Sequence, residues 1–511
     1  MLYNFDTLVS RRGTDCVKWD EAAPDELPMW VADMDFETAP CVQEAILRRA
    51  RHGVYGYALV PEGFYKAIIW WQRDRHAWDV QRDWILYTSG VVPAISAIIK
   101  ALCRPGDGVL TFTPAYNCFF SSIRNNGCRL VDFPLTWSPA EERYSIDFQL
   151  LEHTLDHDRP RLFLLCNPHN PSGRLWTRDE LSRIASLCAA RGITVLSDEI
   201  HCEFVNPQVG RPFLPFAPIA DATGCPWVIA NAPNKAFNIA GLQTAYIIAP
   251  DADVRARIDR AINDNEVCDI NCFSFVALQA AYTPEGAEWL DQLNTYIYQG
   301  YHLFRTALKT ALPSLPIAHL ESTYLAWLDI RSLTRSATVP AAATVPLAAT
   351  VPLAATVPLA ATVPLAATVP AASAALPSTL NPQPSSLNPP SPVPSVAVPR
   401  QPSSPSIAPA ASAALPSTLN PQPSTLNPQP SSLNPHPSTL NPQPSSLNSQ
   451  PSAFSHQTSD LSSLLRRDYH LWLNPGDLYG QPGFLRVNLA TQHSRLATAS
   501  TRLIEALKSQ I

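Results

Sequence analysis

The chain has no apolar run long enough to cross a bilayer, which takes about 18 residues or more, and no excess of basic charge. Its 37 Lys and Arg stand against 43 Asp and Glu, giving a net charge of −6 and a pI near 6.1. That balance leaves no basic footprint for nucleic acid or for an anionic membrane, and points to a small-molecule partner. The 11 cysteines are odd in number and scattered singly from Cys16 to Cys272, so the paired spacings of a zinc site or a disulfide framework are missing. They read as reduced packing thiols, and no metal is expected. The opening Met1-Leu2-Tyr3-Asn4-Phe5-Asp6 lacks a basic segment followed by an apolar core, which makes a cytoplasmic location the expectation.

Glycine is also short, at 18 residues against 51 prolines. Most of the surplus proline lies between about Thr338 and Ser452, where charge almost vanishes. Val-Pro recurs there every six residues, at Val339, Val345, Val351, Val357, Val363 and Val369, and Leu-Asn then recurs every seven, at Leu419, Leu426, Leu433, Leu440 and Leu447. Proline at that density removes backbone donors and opposes helix and sheet, so residues 337–457 are expected to be an extended, disordered insertion. The flanks read as consecutive pieces of one domain: Tyr324 to Ile330 is strand-like, Leu461 opens a helical pattern, and Gly483 to Leu489 is strand-like again. Without the repeats roughly 390 residues remain, enough for one large and one small domain.

Between about Gly56 and Ala249, short apolar runs alternate with helical patterns. The strand candidates are Trp84 to Tyr87, Gly108 to Phe112, Arg129 to Phe133, Arg161 to Cys166, Thr194 to Ser197, Trp227 to Ala230 and Ala245 to Ile248. Continuous apolar character suits strands buried on both faces, and hence a mostly parallel sheet covered by helices, with functional groups in the loops leaving the strand ends.

Three of those ends carry groups that a phosphorylated pyridine aldehyde would need. Thr88-Ser89-Gly90-Val91-Val92-Pro93 opens a helical pattern whose free amides could cradle a phosphate, or could be an ordinary strand-to-helix connection. Asp198, in Leu196-Ser197-Asp198-Glu199-Ile200-His201, could keep a pyridine nitrogen protonated, or could cap a helix. Lys235 follows an apolar strand and is bracketed by Phe237, Ile239 and Leu242. In such a setting it sheds its proton readily, and the neutral amine forms imines; most lysines are instead solvated surface charges.

The order Gly90, Tyr116, Asn170, Asp198, Lys235, Arg486 resembles the fold-type I aminotransferase superfamily, whose members depend on pyridoxal 5′-phosphate (PLP). The phrases Trp30-Val31-Ala32-Asp33-Met34-Asp35-Phe36, Asn167-Pro168-His169-Asn170-Pro171-Ser172-Gly173, Ser197-Asp198-Glu199-Ile200-His201 and Phe237-Asn238-Ile239-Ala240-Gly241 resemble its cystathionine β-lyase branch, the MalY/PatB-type C-S lyases. They span about residues 3 to 330 and 460 to 508. The resemblance implies an α/β fold: a large PLP domain over residues 51–285 with a mainly parallel seven-stranded sheet, and a small α+β domain from 286–336 and 458–511. Residues 1–50 would join the small domain and the active-site entrance.

The resemblance further implies that Lys235 holds the cofactor as a Schiff base and that Asp198 pairs with the ring nitrogen. Tyr116 would stack on the ring, Asn170 would donate to its hydroxyl oxygen, and His201 and Asn234 would complete the cofactor pocket. Gly90 and Val91 would offer amides to the phosphate, and Tyr57 would reach the phosphate of the neighbouring subunit in a homodimer with shared active sites. Arg486 would clamp the α-carboxylate of an amino-acid substrate beside Ala32. The implied reaction is β-elimination from cystathionine or a related cysteine S-conjugate, giving a thiol, pyruvate and ammonia. An aminotransferase, or a regulatory protein that keeps the fold, are the alternatives. Two departures stand out: Asn234 and Ala232 occupy places where many superfamily members carry phosphate-binding hydroxyls, and Gln243 stands where many transaminases have arginine. Gln243 and His201 are shared with the β-lyase branch.

Overall fold

The computed structural model of the chain describes residues 3–264, 270–333 and 453–509. Residues 337–457, the expected insertion, lie outside these except at the far end, where a helix (Ala453–Asp468) begins inside the stretch assigned to the repeats. The last proline of the repeats is Pro451, and between it and Leu465 no proline keeps the backbone from entering the helix that continues through Leu461 and Leu465.

Seven strands form the large sheet: β1 (Ile85–Thr88), β2 (Gly108–Thr113), β3 (Arg129–Pro134), β4 (Leu162–Cys166), β5 (Thr194–Asp198), β6 (Trp227–Asn231) and β7 (Ala245–Ile248). Each lies within one residue of its expected limits. Their spatial order is β1-β7-β6-β5-β4-β2-β3, parallel from β6 to β3, with β7 antiparallel to both of its neighbours.

Alternate residues divide between two cores because successive side chains on a strand face opposite ways. Leu110, Phe112, Phe163, Leu165, Val195, Ile229 and Tyr246 enter one core. Val109, Leu162, Leu164, Leu196, Val228 and Ile247 enter the other, against Ile95, Ile98 and Ile99 of helix α1 (Val91–Leu102). Burial on both faces is what made these strands read as unbroken apolar runs. Edge strand β3 instead alternates, with Val131 and Phe133 inside and Asp132 and Pro134 outside.

A second sheet joins the two sides of the repeats. Strand β8 (Leu325–Asp329) lies antiparallel to β10 (Phe484–Asn488), pairing Trp327 with Arg486, and the short β9 (Asn474–Pro475) flanks β10. Leu27–Pro28 adds a short parallel pairing with Leu471–Trp472. The 28-residue helix α2 (Pro284–Ala311) bridges the cores, burying Trp289, Leu293 and Tyr296 in the large one and Tyr301, Phe304 and Leu308 in the small one. There it packs with Leu496, Ala499 and Leu503 of the C-terminal helix (His493–Lys508). Among the described residues no helix is long and apolar enough to cross a membrane.

Candidate active site

Because β1 is antiparallel to β7 and β7 to β6, β1 ends at the same edge of the sheet as the parallel strands. Gly90 after β1, Tyr116 after β2, Asn170 after β4, Asp198 at the end of β5 and Lys235 after β6 therefore share the carboxyl edge, where open α/β sheets place their ligands.

The Lys235 Nζ donates to the carbonyl oxygen of Ala32 at 2.6 Å. Removal of the amine from water pushes its pKa down to about 8; the Arg486 guanidinium adds to this, while Asp33, Cys118 and Asp198 partly oppose it. The loop carrying Lys235 is tied to the Trp30–Phe36 segment by Asn238, whose Nδ2 donates to the carbonyls of Met34 (2.9 Å) and Phe36 (2.8 Å) and whose Oδ1 accepts from the Met34 amide at 3.0 Å. Asn238 adopts a left-handed φ of 54°, a conformation asparagine tolerates better than most side chains.

Asp198 is buried, and its Oδ1 accepts from the Ile200 amide at 3.1 Å. Burial pushes its carboxyl up to about 7, only partly offset by that amide and by Lys235. The neighbouring Glu199, pushed up to about 8 by burial, serves the frame instead. It accepts from Ser197 Oγ (2.9 Å), the Phe216 amide (2.9 Å) and Asn167 Nδ2 (3.5 Å), which holds the Asn167–Gly173 loop against β5. One carboxylate thus faces the site while its neighbour secures the scaffold.

Arg486 projects from β10, is 3% exposed and lies over the Tyr479 ring at 4.7 Å. Its Nη2 donates to the Trp30 carbonyl (2.7 Å) and its Nη1 to Asn170 Oδ1 (3.4 Å), which leaves Nε without a partner. Tyr324 donates to the same Ala32 oxygen as Lys235, at 3.0 Å, and meets the His201 ring edge-on at 5.7 Å. Burial, Lys235 and Arg486 all hold the His201 imidazole well below its ordinary pKa, so it is neutral, and its Nδ1 has no partner. Asn234 is buried with an unpartnered Oδ1. Tyr116 is half-buried; burial lifts its phenol far above the ordinary range, with Cys118 and Arg486 as close electrostatic neighbours. Gly90 precedes α1 without a side-chain cap, which leaves the amides of the first turn available, although Pro93 supplies none. Tyr57 stands apart, 95% exposed.

Trp30, Asp33, Cys118, Tyr324 and Tyr479 also belong to this cluster and were not singled out individually in the sequence. The only available signals were the Trp30–Phe36 phrase and the tyrosine that opens the strand-like Tyr324–Ile330 run.

Orphaned buried atoms in this cluster include Asn234 Oδ1, His201 Nδ1, Arg486 Nε and Trp30 Nε1, beside an amine held near neutrality. Buried polar atoms without partners cost stability unless a ligand satisfies them. PLP fits this set: its aldehyde suits Lys235, its ring nitrogen Asp198, its ring oxygen Asn170, and its phosphate the α1 N-terminus.

A seven-stranded, mainly parallel sheet with a carboxylate ending β5 and a buried lysine after β6 defines the fold-type I class of PLP-dependent enzymes. More specifically, the chain belongs to the aminotransferase class I and II family, whose model matches residues 25–354. It is 39% identical over 331 residues to cystathionine β-lyase PatB of Bacillus subtilis (strain 168), covering 64% of this chain and 84% of that one. Protein MalY of Escherichia coli (strain K12) is 33% identical over 339 residues, covering 65% and 85%. Among solved structures, the PLP-bound putative aminotransferase from Clostridium difficile 630 superposes with a TM-score of 0.72 at 26% identity, covering 99% of this chain and 100% of that one.

Proposed function

We propose that the protein is a PLP-dependent C-S β-lyase that cleaves cystathionine or a related cysteine S-conjugate to a thiol, pyruvate and ammonia. The observation that carries this reading is the placement of the Lys235 amine, near neutrality, in one buried cluster with Asp198 and Arg486. The relatives named for cystathionine β-lyase activity supply the reaction class.

PLP, when bound, supplies an aromatic ring that accepts the electron pair left when a proton leaves the substrate's Cα. The chain's residues do the rest. Arg486 binds the α-carboxylate, exchanging the Trp30 carbonyl for a charged partner. Asp198 would keep the ring nitrogen protonated, and its burial would shield that pair from water. Lys235, with a pKa near the working pH, removes the Cα proton as general base. His201, held neutral, and Tyr324 line the pocket wall.

The fully exposed Tyr57, with Val54 and Leu59 also exposed, supports a homodimer in which this segment completes the partner's phosphate site. The test is incubation of purified protein with L-cystathionine, and separately with a 2-oxo acid plus an amino donor. Pyruvate with a free thiol is the expected result. A new amino acid without pyruvate would make the enzyme an aminotransferase.

A further inference from the structure

Directly after His201, Cys202 and Glu203 meet His76 from a distant part of the chain, bringing three potential metal ligands together. His76 Nε2 lies 2.7 Å from Glu203 Oε1 and 3.9 Å from Cys202 Sγ, and Cys202 Sγ lies 3.4 Å from Glu203 Oε1. The His76 and Glu203 side chains are each only 5% exposed, and Cys202 is buried. We propose that His76, Cys202 and Glu203 form a binding site for a borderline-soft divalent cation of the zinc type, distinct from the cofactor site and independent of the lyase reading.

Ligand chemistry selects the ion. One imidazole, one thiol and one carboxylate suit zinc, whereas magnesium and calcium require all-oxygen shells. Atoms bound to a common tetrahedral ion at about 2.0–2.3 Å lie roughly 3.3–3.8 Å apart. The Cys202–Glu203 and Cys202–His76 separations are already close to that. The shorter His76–Glu203 contact is a hydrogen bond that widens on ligation. Binding releases the Cys202 thiol proton to solvent, and His76 ligates as the neutral imidazole.

Two neighbours compete for Glu203: Trp71 Nε1 donates to Oε1 at 2.7 Å, and Arg75 Nε lies 3.7 Å from Oε2. Arg75 is drawn outward, however, by two hydrogen bonds to Asp291 at 3.1 and 2.7 Å. That pair lines an open cavity of about 530 Å³ whose other carboxylates are Asp74 and Glu288. An acidic approach for a cation therefore lies next to the cluster. Asn231 Nδ2 donates to Cys202 Sγ at 3.4 Å, so ligation reaches both the loop that follows His201 and the end of β6.

No sequence spacing announces this site, because Cys202 and Glu203 are adjacent while His76 sits on another helix (Glu62–His76). The test uses the full chain with PLP, dialysed against chelator, loaded with zinc chloride and desalted. The metal content per chain and the zinc X-ray absorption spectrum are then measured. One retained zinc per chain is expected, with one sulfur at about 2.3 Å and nitrogen or oxygen at about 2.0 Å. Cys202→Ser should remove the sulfur contribution, and both it and His76→Gln should weaken retention at least tenfold with circular dichroism unchanged. No retained zinc, no sulfur around the zinc, or an unchanged spectrum and retention in Cys202→Ser overturns the site. Should Cys202→Ser fail to fold, a folded His76→Gln variant that keeps zinc with wild-type affinity overturns it equally.

Discussion

The Nζ of Lys235 and the carbonyl oxygen of Ala32 share a 2.6 Å hydrogen bond across 203 positions of the chain. The bond ties the lysine after β6 to the N-terminal Trp30–Phe36 segment, whose Trp30 carbonyl in turn holds Arg486. The group proposed to bear the cofactor and the group proposed to bind the carboxylate therefore rest on one strap of backbone.

Lys235→Ala should abolish the yellow PLP absorbance that borohydride bleaches, because Lys235 is the lysine whose amine is held near neutrality beside Asp198 and Arg486. Pyruvate formation from L-cystathionine should fall by roughly 10² to 10⁴-fold or more, the range for losing a positioned acid–base group. A variant that still forms a reducible adduct and turns over at the wild-type rate would transfer the chemistry to another lysine.

The pH dependence of cofactor capture follows from the same amine. Its folded-state pKa of about 8 lies below the ordinary lysine value, so the cofactor-free protein presents mainly ammonium below that pH and neutral amine above it. The rate of PLP uptake, followed by stopped-flow absorbance, should rise through about pH 8 and then level off. The stability linkage has the same sign. Between about 8 and the unfolded value near 10.4, the unfolded chain binds more protons, so this group's contribution to stability rises with pH across that window. Below about 8 its penalty is fully present. A PLP-uptake rate that does not change from pH 6 to 10 would remove Lys235 deprotonation from the capture step.

Arg486→Lys keeps the charge but loses the planar fork, the seat over Tyr479 and the capacity to bond Trp30 and Asn170 together. Substrate binding should weaken by roughly 1–3 kcal/mol, the scale of a hydrogen bond to a charged group and of an unsatisfied buried partner. The loss should appear in KM, while the cofactor spectrum stays unchanged. Kinetic constants equal to wild type would place Arg486 outside substrate binding.

The central strands were legible because burial on both faces leaves an apolar run such as Leu162–Cys166 with no alternation to misread. Asp198 stood out because it ends such a run, and Lys235 because it follows one and is bracketed by Phe237, Ile239 and Leu242. Tyr324, Tyr479 and Cys118 did not, since a buried aromatic or thiol looks the same whether it lines a site or fills a core, and only the pairing of β8 and β9 with β10 brings the tyrosines to Arg486. The Asn238 clamp was equally hidden, because it depends on a left-handed backbone that asparagine permits but does not announce. The start of the helix at Ala453 is hard to read because the serines and glutamine around it resemble the repeats in composition, and only the end of the repeat prolines marks the change.

That boundary sharpens the prediction for the repeats. The pairing of Leu325 with Asn488 and of Trp327 with Arg486 is made entirely by residues outside them, as are the buried contacts of Leu461 and Leu465 in the small core. A sequence with proline at every sixth or seventh position, and mostly alanine, serine and threonine between, cannot bury enough apolar surface to offset the entropy of ordering it. Closing a long loop costs little more than closing a short one, since each doubling adds about 0.6 kcal/mol. Replacing Ala337 to Ser452 with a short Gly/Ser linker should therefore preserve cofactor content, elimination rate and oligomeric state, and leave the melting temperature unchanged or slightly raised. The replacement must stop at Ser452, because removing Ala453 to Gln457 as well would delete the first turn of a helix and should lower the melting temperature. Loss of PLP or aggregation in the shorter deletion would show that the repeats contribute to the fold.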